Sequence, residues 1–455
     1  MKRLQNEGGA LAWWHDATPY QRLVLSVALL GWVFDSMNAT IYTIVQTPAL
    51  AELLGPTATK GEIGIYGGII FSVFIIGWAL GGIFFGIMAD YFGRAKVMII
   101  TILIYAAFTG LAAISRTWWE LGIYRFICGL GIGGEWAAGA TLVAEAWPDK
   151  DRARAASVMQ SAWAIGYFLA AFINFSIGVQ SWRIIFLVGM TPALVALFIR
   201  LRVEEPECWE DVKEKRVEAQ ERGSPGSSLS HLKRFTFLQL FEPWIRRDTI
   251  VGTLLAMVAA FGLWGATNWT PSIIRDTLAP LSLSDYKVND LVSIGVMSLN
   301  VGAFIGYLAF APMADRLGRK GAFFIMLLGS ALMLPFTFLA SRNITFIILM
   351  LPLLGFFNNG IFSGFPIYFP ELFPTYMRTT GSGFCFNAGR VLSAAGPFLT
   401  GYLIAMTGSY AKAASAIAFI YVLGLFALIF ARETRGTTLQ GAVSPVPHAL
   451  GRTAQ

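Results

Sequence analysis

A short charged turn between two long apolar runs occurs twice in this chain. The first copy is residues 86–96 (GIMADYFGRAK) and the second is residues 312–320 (PMADRLGRK), so that Asp90 and Asp315 are 225 positions apart. The apolar runs on both sides of each turn are long enough to cross a bilayer, which takes about 20 residues of helix. Each turn therefore predicts the short connection of a membrane-crossing hairpin.

A second motif repeats at nearly the same displacement. Residues 145–152 (EAWPDKDR) recur as residues 371–378 (ELFPTYMR), with 226 positions between Glu145 and Glu371. Two motifs repeated at almost one displacement indicate that the chain consists of two homologous halves.

Composition places most of the chain in lipid. Hydrophobic residues make up 56% of the 455 positions and charged residues only 13%, too little charge to cover a water-soluble protein of this size. Because backbone groups in lipid must be satisfied within each span, we expect an all-α membrane protein with twelve transmembrane helices in two pseudo-symmetric six-helix bundles. The predicted spans are 22–46, 62–89, 96–115, 118–146, 152–178, 183–202, 249–272, 288–312, 320–340, 344–368, 379–405 and 411–431.

The positive charges set the expected orientation. Most of the 34 Lys and Arg residues fall on one side of the twelve spans, which the positive-inside rule assigns to the cytoplasm together with both termini. The net charge of +7 follows this topology, so no nucleic-acid partner is expected. The first apolar run begins near Arg22 and lacks a small-residue cleavage site, so it is expected to be an uncleaved anchor. We expect a monomeric, multi-pass protein of the cell membrane, in bacteria the inner membrane.

The predicted organisation has three parts. Residues 1–203 form the N-terminal bundle, residues 204–248 a charged cytoplasmic linker that is partly helical, and residues 249–455 the C-terminal bundle. Glycines within the spans, such as Gly81 and Gly133, allow helices to approach closely in lipid. They serve either packing alone or the sliding of one half against the other.

The motifs together resemble those of the major facilitator superfamily. Besides the two turns and the two Glu-x-x-Pro-x-x-x-Arg blocks, the last span is followed by residues 433–436 (ETRG). Within that superfamily, residues 133–136 (GGEW), 269–271 (WTP) and 370–390 resemble the metabolite:proton symporters, the branch of the sialate, lactate and aromatic-acid carriers. The resemblance implies a secondary transporter that works by alternating access.

Charged residues shared by both halves lie at the predicted cytoplasmic ends of the spans. The resemblance implies that they form an ionic latch between the halves when the carrier faces outward. The alternative is ordinary helix capping and topology charge, since exposed ion pairs contribute only about 0–1 kcal/mol each. The shared residues are Asp90, Arg94, Glu145, Arg152, Asp315, Arg319, Glu371 and Arg378.

Charges present in one half only lie deeper in the membrane, at Asp35, Arg125, Glu135 and Arg390. A lone charge at mid-membrane costs at least about 2.5–3.5 kcal/mol, so such residues are expected to face a wet cavity or each other. Arg390 follows Asn387 by three positions and shares its helix face. Its guanidinium suits a carboxylate, with a salt bridge to Asp35 or a backbone clamp as the alternative. Arg125 is a substrate-binding candidate whose alternative is a structural role.

Proton coupling requires a titratable group in the membrane. No histidine lies within the apolar runs, so Asp35 and Glu135 are the mid-span candidates. Carriers of this branch often have two acids three apart on the first helix. Here the second position is Asn38, which leaves open which of the two acids carries the proton.

Aromatic and amide side chains are expected to complete a substrate cavity. For the aromatic residues among them, the alternative role is packing between helices. The candidates are Tyr42, Gln46, Trp163, Tyr167, Trp264, Asn268, Asn300, Asn358 and Asn359.

The sequence favours a proton-coupled importer of a small organic anion, without covalent chemistry and without a cofactor or metal. No phosphate-cradling loop is evident, which disfavours a primary pump. No nucleophile–base or metal constellation is evident either, which disfavours an intramembrane enzyme. The alternatives are a carrier for a neutral solute, an exporter, and a membrane sensor that binds without transport.

Overall fold

A computed structural model describes residues 12–58, 60–177, 181–200, 204–222, 234–393, 395–437 and 439. Within these ranges the chain forms helices and turns and no β-strand. The α-helices are α1 (Ala12–His15), α2 (Pro19–Leu54), α3 (Lys60–Phe92), α4 (Arg94–Ala112), α5 (Trp118–Ala146), α6 (Arg152–Ile177), α7 (Trp182–Arg200), α8 (Glu207–Arg222), α9 (Thr236–Gln239), α10 (Arg246–Gly265), α11 (Thr270–Leu278), α12 (Asp285–Leu339), α13 (Ile344–Gly360), α14 (Phe365–Leu372), α15 (Arg378–Ser393), α16 (Ala395–Thr407), α17 (Tyr410–Ala416) and α18 (Phe419–Ile429).

Eight helical stretches of the described chain are long and apolar enough to cross a membrane. One of them, Asp290–Leu339, covers two of the predicted spans, because α12 consists of two helices that meet at a kink at Gly318. The other three predicted spans correspond to α6, to α7 and to α15 with α16, which are helical but less apolar or shorter. The all-α membrane fold expected from the sequence is confirmed.

Small residues bring helices of the first half into close contact, as the glycine pattern predicts. A Cβ atom on Gly81 of α3 would overlap the carbonyl oxygen of Leu130 in α5, and one on Gly133 of α5 would overlap that of Trp78 in α3. The two backbones therefore touch at positions where only glycine fits.

The two charged turns have the same backbone design in both halves. Gly93 (φ 110°) and Gly318 (φ 81°) each adopt a conformation that L-residues rarely take. The Glu205 carboxylate accepts hydrogen bonds from the first three backbone N–H groups of α4, at 2.7, 3.2 and 3.1 Å. The Glu433 carboxylate does the same for the two residues after Gly318, at 2.9 and 3.0 Å. Each glutamate thus caps a helix N-terminus, where a negative charge is stabilising.

This design gives a stability prediction for Gly93→Ala. A Cβ atom at Gly93 would overlap the Glu205 carboxylate, whereas Gly55, with a similar backbone (φ 93°), has open space at that position. Backbone strain costs about 1–3 kcal/mol, so we expect Gly93→Ala and the control variant Gly55→Ala both to lower the melting temperature. Gly93→Ala is expected to lower it further, because the cap is displaced as well. Equal shifts in the two variants, measured by thermal unfolding in detergent, would show that the cap adds nothing.

The charged turns, the N-terminus of α6 and the linker helix α8 lie at one end of the bundle, which we call the linker side. The opposite end, which includes the C-terminus of α10 and the start of α11, is called the far side. The candidate site lies between the halves.

Candidate functional site

On the linker side, Asp90 of the first half binds the start of α15 in the second half. Its carboxylate accepts hydrogen bonds from the backbone N–H groups of Thr379 (3.2 Å) and Thr380 (2.7 Å) and from the Thr380 hydroxyl (2.6 Å). Asp90 is fully buried, and its charge lies at a helix N-terminus, where the helix dipole favours it. This contact fixes the end of α3 to α15.

A buried ion-pair chain continues the same seam. Glu145 of the first half accepts a 2.6 Å hydrogen bond from Arg378 of the second half and pairs with Arg94 at 3.3 Å. Arg94 also donates to the backbone carbonyl of Thr375 at 2.8 Å, again across the seam. Removing one partner of such a buried pair costs about 3–5 kcal/mol, because the other charge is left buried. These contacts hold the linker side closed.

The second half repeats this geometry only in part. Arg319 binds Glu371 through two hydrogen bonds of 3.0 and 2.8 Å within the same half, and Thr434 donates to Glu371 at 2.6 Å. Arg152 reaches Glu371 across the seam at 3.9 Å. The Asp315 side chain is 33% exposed and pairs with Arg319 at 3.6 Å. All eight latch candidates thus lie on the linker side, but the described hydrogen bonds and ion pairs of Asp315 and Arg319 stay within the second half, and across the seam Asp315 meets only the longer-range charges of Arg154 and Asp151.

The linker adds a bridge that the sequence analysis missed. Arg216 of α8 donates to the backbone carbonyl of Asp90 and, at 2.7 Å, to that of Tyr376 in the second half. Trp209 also donates to the Asp90 carbonyl, at 3.2 Å. Burial lowers the pKa of the Arg216 guanidinium, an effect that the Asp90 carboxylate opposes, and an arginine stays charged in proteins. The capping glutamates were missed as well, although Glu205 and Glu433 both follow the last span of their half.

A narrow central cavity of about 30 Å³ lies between the halves. Its wall is mostly aromatic. The first half contributes α2, α3 and α6, and the second half contributes α10, α12, α15 and the turn Ile361–Gly364. The aromatic residues include Trp32, Trp78, Trp163, Trp264, Phe362 and Phe386. Towards the linker side, Phe386 stacks on Trp136 of α5 at 4.0 Å between ring centroids, which closes the floor of the cavity.

Arg390 is the one charged residue in the described lining of this cavity. It is 8% exposed, and its guanidinium lies 4.1 Å from the Trp78 ring centroid and 4.6 Å from that of Phe386. Its Nη1 donates to the Asn387 side-chain oxygen at 2.8 Å, so the predicted pairing of these two residues is present. None of the described ion pairs includes Arg390. Guanidinium nitrogens other than Nη1 are thus available to a ligand in the cavity.

An outer chamber of about 140 Å³ adjoins the central cavity on the far side. The two share Trp163, Leu263 and Trp264 as lining residues. The wall of the chamber is more polar than that of the central cavity, with Asn300 and Asn359 among its lining residues. The further polar lining residues are Tyr167, Thr267 and Thr270.

The two acidic candidates for proton coupling are buried outside both cavities. Asp35 is fully buried in α2, next to Ser36, whose hydroxyl donates to the Trp163 carbonyl at 2.7 Å. Glu135 is 2% exposed in α5, next to Trp136. Neither belongs to the described lining of either cavity. Each therefore lies within a few residues of a cavity-lining or cavity-closing ring but does not reach the space itself in this conformation.

Arg125 belongs to a polar cluster inside the first half. It is fully buried, donates to the Asn38 side-chain oxygen at 2.9 Å and lies 4.2 Å from the Phe74 ring centroid. Tyr42 packs beside it, with the guanidinium 5.3 Å from its ring, and donates to the Gly67 carbonyl at 3.2 Å. The structure thus brings these two candidates together, but away from Arg390.

Of the remaining candidates, two amides lie in the second half, and two further side chains are outside the described residues. Asn358 donates to the Thr267 hydroxyl at 3.0 Å and accepts a hydrogen bond from Tyr421, so it lies within the second half. Its neighbour Asn359 lines the outer chamber. The side chains of Gln46 and Asn268 lie outside the described residues.

This architecture, two helical halves around a cavity with a closed linker side, is that of a secondary transporter. The model of the Major Facilitator Superfamily matches residues 27–284, more than half of the chain. The chain therefore belongs to the major facilitator superfamily and is not an enzyme. A solved structure of the proton:xylose symporter XylE is similar in fold, with a TM-score of 0.75 and 18% identity over 93% of this chain and 98% of that one.

Three curated bacterial proteins show the range of relatives. A protein named for metabolite transport in Haemophilus influenzae is 34% identical, over 80% of this chain and 86% of its own length. The sialic acid transporter NanX of Escherichia coli is 32% identical, over 87% of this chain and 90% of its own. A protein of Cupriavidus pinatubonensis named for 4-methylmuconolactone transport is 28% identical, over 94% of both chains. The chain is thus similar to bacterial multi-pass carriers of organic acids and related small molecules, which supports the assignment to the metabolite:proton symporter branch.

Proposed function

We propose that this protein transports a small organic anion whose carboxylate binds Arg390. The observation that carries the proposal is Arg390, a residue only 8% exposed that lines a cavity between the halves and belongs to none of the described ion pairs. An isolated buried charge is costly, and a guanidinium offers two parallel donors that match a carboxylate. A bound carboxylate therefore neutralises the site, and the relatives named for organic-acid transport are consistent with it.

Transport would proceed by alternating access between the linker side and the far side. The closed seam from Asp90 to Arg378 supports a conformation in which the substrate enters from the far side. For release, the bonds across this seam must break while those within each half persist. With the linker side in the cytoplasm, as the positive charges predict, this direction is import. The proposed boundaries of the moving bodies remain 1–203 and 249–455, joined by 204–248.

Counterflow in proteoliposomes tests this function. Vesicles are loaded with a carboxylate or with a neutral solute of similar size, and uptake of the labelled compound from outside is measured. Stimulation by acidic solutes alone is expected. Stimulation by neutral solutes, such as a sugar, and not by carboxylates would overturn the anion proposal in favour of the neutral-solute carrier. Binding without any counterflow would instead support a sensor.

We further propose that Asp35 and Glu135 couple the anion to a proton. A carboxyl group in a poorly solvated environment holds a proton near neutral pH more readily than one in water, and both acids adjoin residues of the cavity wall or floor. A monovalent anion carried with one proton transfers no net charge, so the membrane potential contributes nothing and the pH gradient drives accumulation, about tenfold per pH unit.

The test compares net uptake with exchange. Asp35→Asn and Glu135→Gln are expected to reduce proton-driven accumulation at least tenfold, while counterflow, which needs no net proton movement, persists. The exposed carboxylate of Asp276 provides the control, since Asp276→Asn is expected to leave both activities unchanged. Proton-driven accumulation at the wild-type level in both the Asp35 and the Glu135 variant would exclude these residues as carriers.

A further inference from the structure

The central cavity is too small in this conformation for a whole organic anion. Its volume of about 30 Å³ corresponds to about two water molecules, because a cavity needs roughly 10–15 Å³ to hold one. The rings around it contact each other: Trp78 and Trp163 lie 5.9 Å apart between centroids, and Trp32 lies 5.2 Å from Trp163. An anion therefore reaches Arg390 only after these rings move apart.

The outer chamber has room for a small organic molecule. Its volume of about 140 Å³ corresponds to about ten waters on the same scale. Its wall includes Thr270 and Pro271 at the start of α11, which belongs to the far side. Because the seam on the linker side is closed, a solute that enters from the far side meets this chamber before it meets Arg390.

The chamber offers hydrogen bonds rather than charge. None of its described lining residues is charged. Asn359 is 6% exposed, and its Nδ2 has no hydrogen-bond partner among the described residues. Asn300 donates to the Val296 carbonyl at 2.9 Å, and no described bond uses its side-chain oxygen. Tyr167 adds a hydroxyl group. A buried polar atom without a partner is costly, so a solute that supplies the missing bond is stabilised here.

The boundary between the two spaces is built by both halves. Trp163, Leu263 and Trp264 line the chamber as well as the central cavity. Trp163 belongs to α6 of the first half, whereas Leu263 and Trp264 belong to α10 of the second half. A movement of one half relative to the other therefore changes the opening between the chamber and the cavity.

We infer that the outer chamber is a second binding site, in which hydrogen bonds hold the substrate before it passes Trp163 and Trp264 to reach Arg390. This inference rests on the proposed function and adds an earlier step to binding at the same site. Binding then has two stages. The substrate first associates rapidly with the chamber, and a slower rearrangement of the two tryptophans then admits its carboxylate to the guanidinium.

Stopped-flow fluorescence of the full-length protein in lipid nanodiscs tests the two stages, because tryptophans line both spaces. Benzoate, lactate and N-acetylneuraminate serve as probes. For a probe that binds, we expect a fast phase whose rate rises linearly with concentration and a slow phase whose rate reaches a maximum. A single phase with a rate that is linear over the whole concentration range would overturn the inference.

Three variants separate the two sites. Arg390→Ala is expected to lose the slow phase and to keep the fast one, with a dissociation constant for the chamber within about threefold of that in the wild type. Asn359→Leu is expected to weaken the first stage at least about fivefold and to leave the maximum rate of the slow phase unchanged. Asn343 is exposed at the start of the same helix and lies outside the chamber, so Asn343→Leu is expected to change neither phase.

The failures of the inference and of the proposed function are distinguishable. Loss of both phases in an Arg390→Ala protein that folds, as judged by size-exclusion chromatography, would overturn the inference and leave the anion carrier intact. Asn300→Leu provides a second chamber variant should Asn359→Leu not fold, and an unchanged first stage in the folded chamber variants would overturn the inference as well. If none of the three probes binds and none supports counterflow, the proposed function fails too.

Discussion

Replacing Arg390 by Ala is expected to weaken carboxylate binding about 100-fold or more, and replacing it by Lys about tenfold. Truncating one partner of a buried, hydrogen-bonded charge pair costs about 2–5 kcal/mol, and each 1.4 kcal/mol corresponds to about tenfold in affinity. A lysine keeps the charge but loses the fork geometry that binds both carboxylate oxygens. The dissociation constant for benzoate and the KM for its uptake measure the effect.

Two variants control this experiment. Asn387→Ala removes the 2.8 Å hydrogen bond that orients Arg390, so a smaller loss, on the order of tenfold, is expected. The exposed Arg342 lies outside the described cavity lining, so Arg342→Ala is expected to bind like the wild type. Wild-type affinity in a well-folded Arg390→Ala protein would show that the guanidinium is structural. Full affinity in Arg390→Lys would show that paired hydrogen bonding is unnecessary.

Replacing Asp90 by Ala is expected to shift the protein towards a conformation open on the linker side. The carboxylate accepts three hydrogen bonds from α15 in the other half, and bonds to charged groups are worth about 1.5–3 kcal/mol each. A loss of about 3 kcal/mol changes the ratio of two conformations by more than 100-fold. The repeat provides a matched control, because Asp315 is partly exposed and its described ion pair lies within its own half.

Spin labels on the two halves measure this shift. Lys150 of the first half and Arg316 of the second half are exposed on the linker side and can carry the labels after the three native cysteines are replaced. Asp90→Ala is expected to lengthen the distance between the labels, and Asp315→Ala to leave it nearly unchanged. An equal response to both substitutions would contradict the asymmetry of the latch.

Features set by a repeat or by helix spacing could be predicted from the sequence. The two turns with Asp90 and Asp315, and the pairing of Asn387 with Arg390, depend on local order along the chain. The partners of Asp90 could not be predicted, because they include backbone N–H groups at the start of α15 and leave no mark on the residue types. The unequal use of Asp90 and Asp315 could not be predicted either, since nearly the same motif surrounds both.

The cavity walls were also beyond the sequence. Aromatic residues occur in most spans, so which of them face the cavity depends on how the helices are rotated and packed against each other. Trp163 and Trp264 were candidates and line it, whereas Trp32, Trp78 and Phe386 were not singled out. Arg125 appeared equivalent to Arg390 as a lone membrane charge, but it forms a polar cluster with Asn38 inside one half. The roles of Asp35 and Glu135 remain predictions.

The attachment of α8 determines which body carries the linker during a transport cycle. Trp209 and Arg216 both hold the carbonyl of Asp90, whereas a single described hydrogen bond, from Arg216 to Tyr376, joins α8 to the second half. The helix also packs against the turn Thr375–Met377 of the second half, so both this packing and the Tyr376 bond lie across the seam that would open on the linker side. The time for which the linker side stays closed then depends on contacts of α8 that are remote from the anion site. Substitutions in α8 would therefore change the turnover rate without changing the substrate affinity.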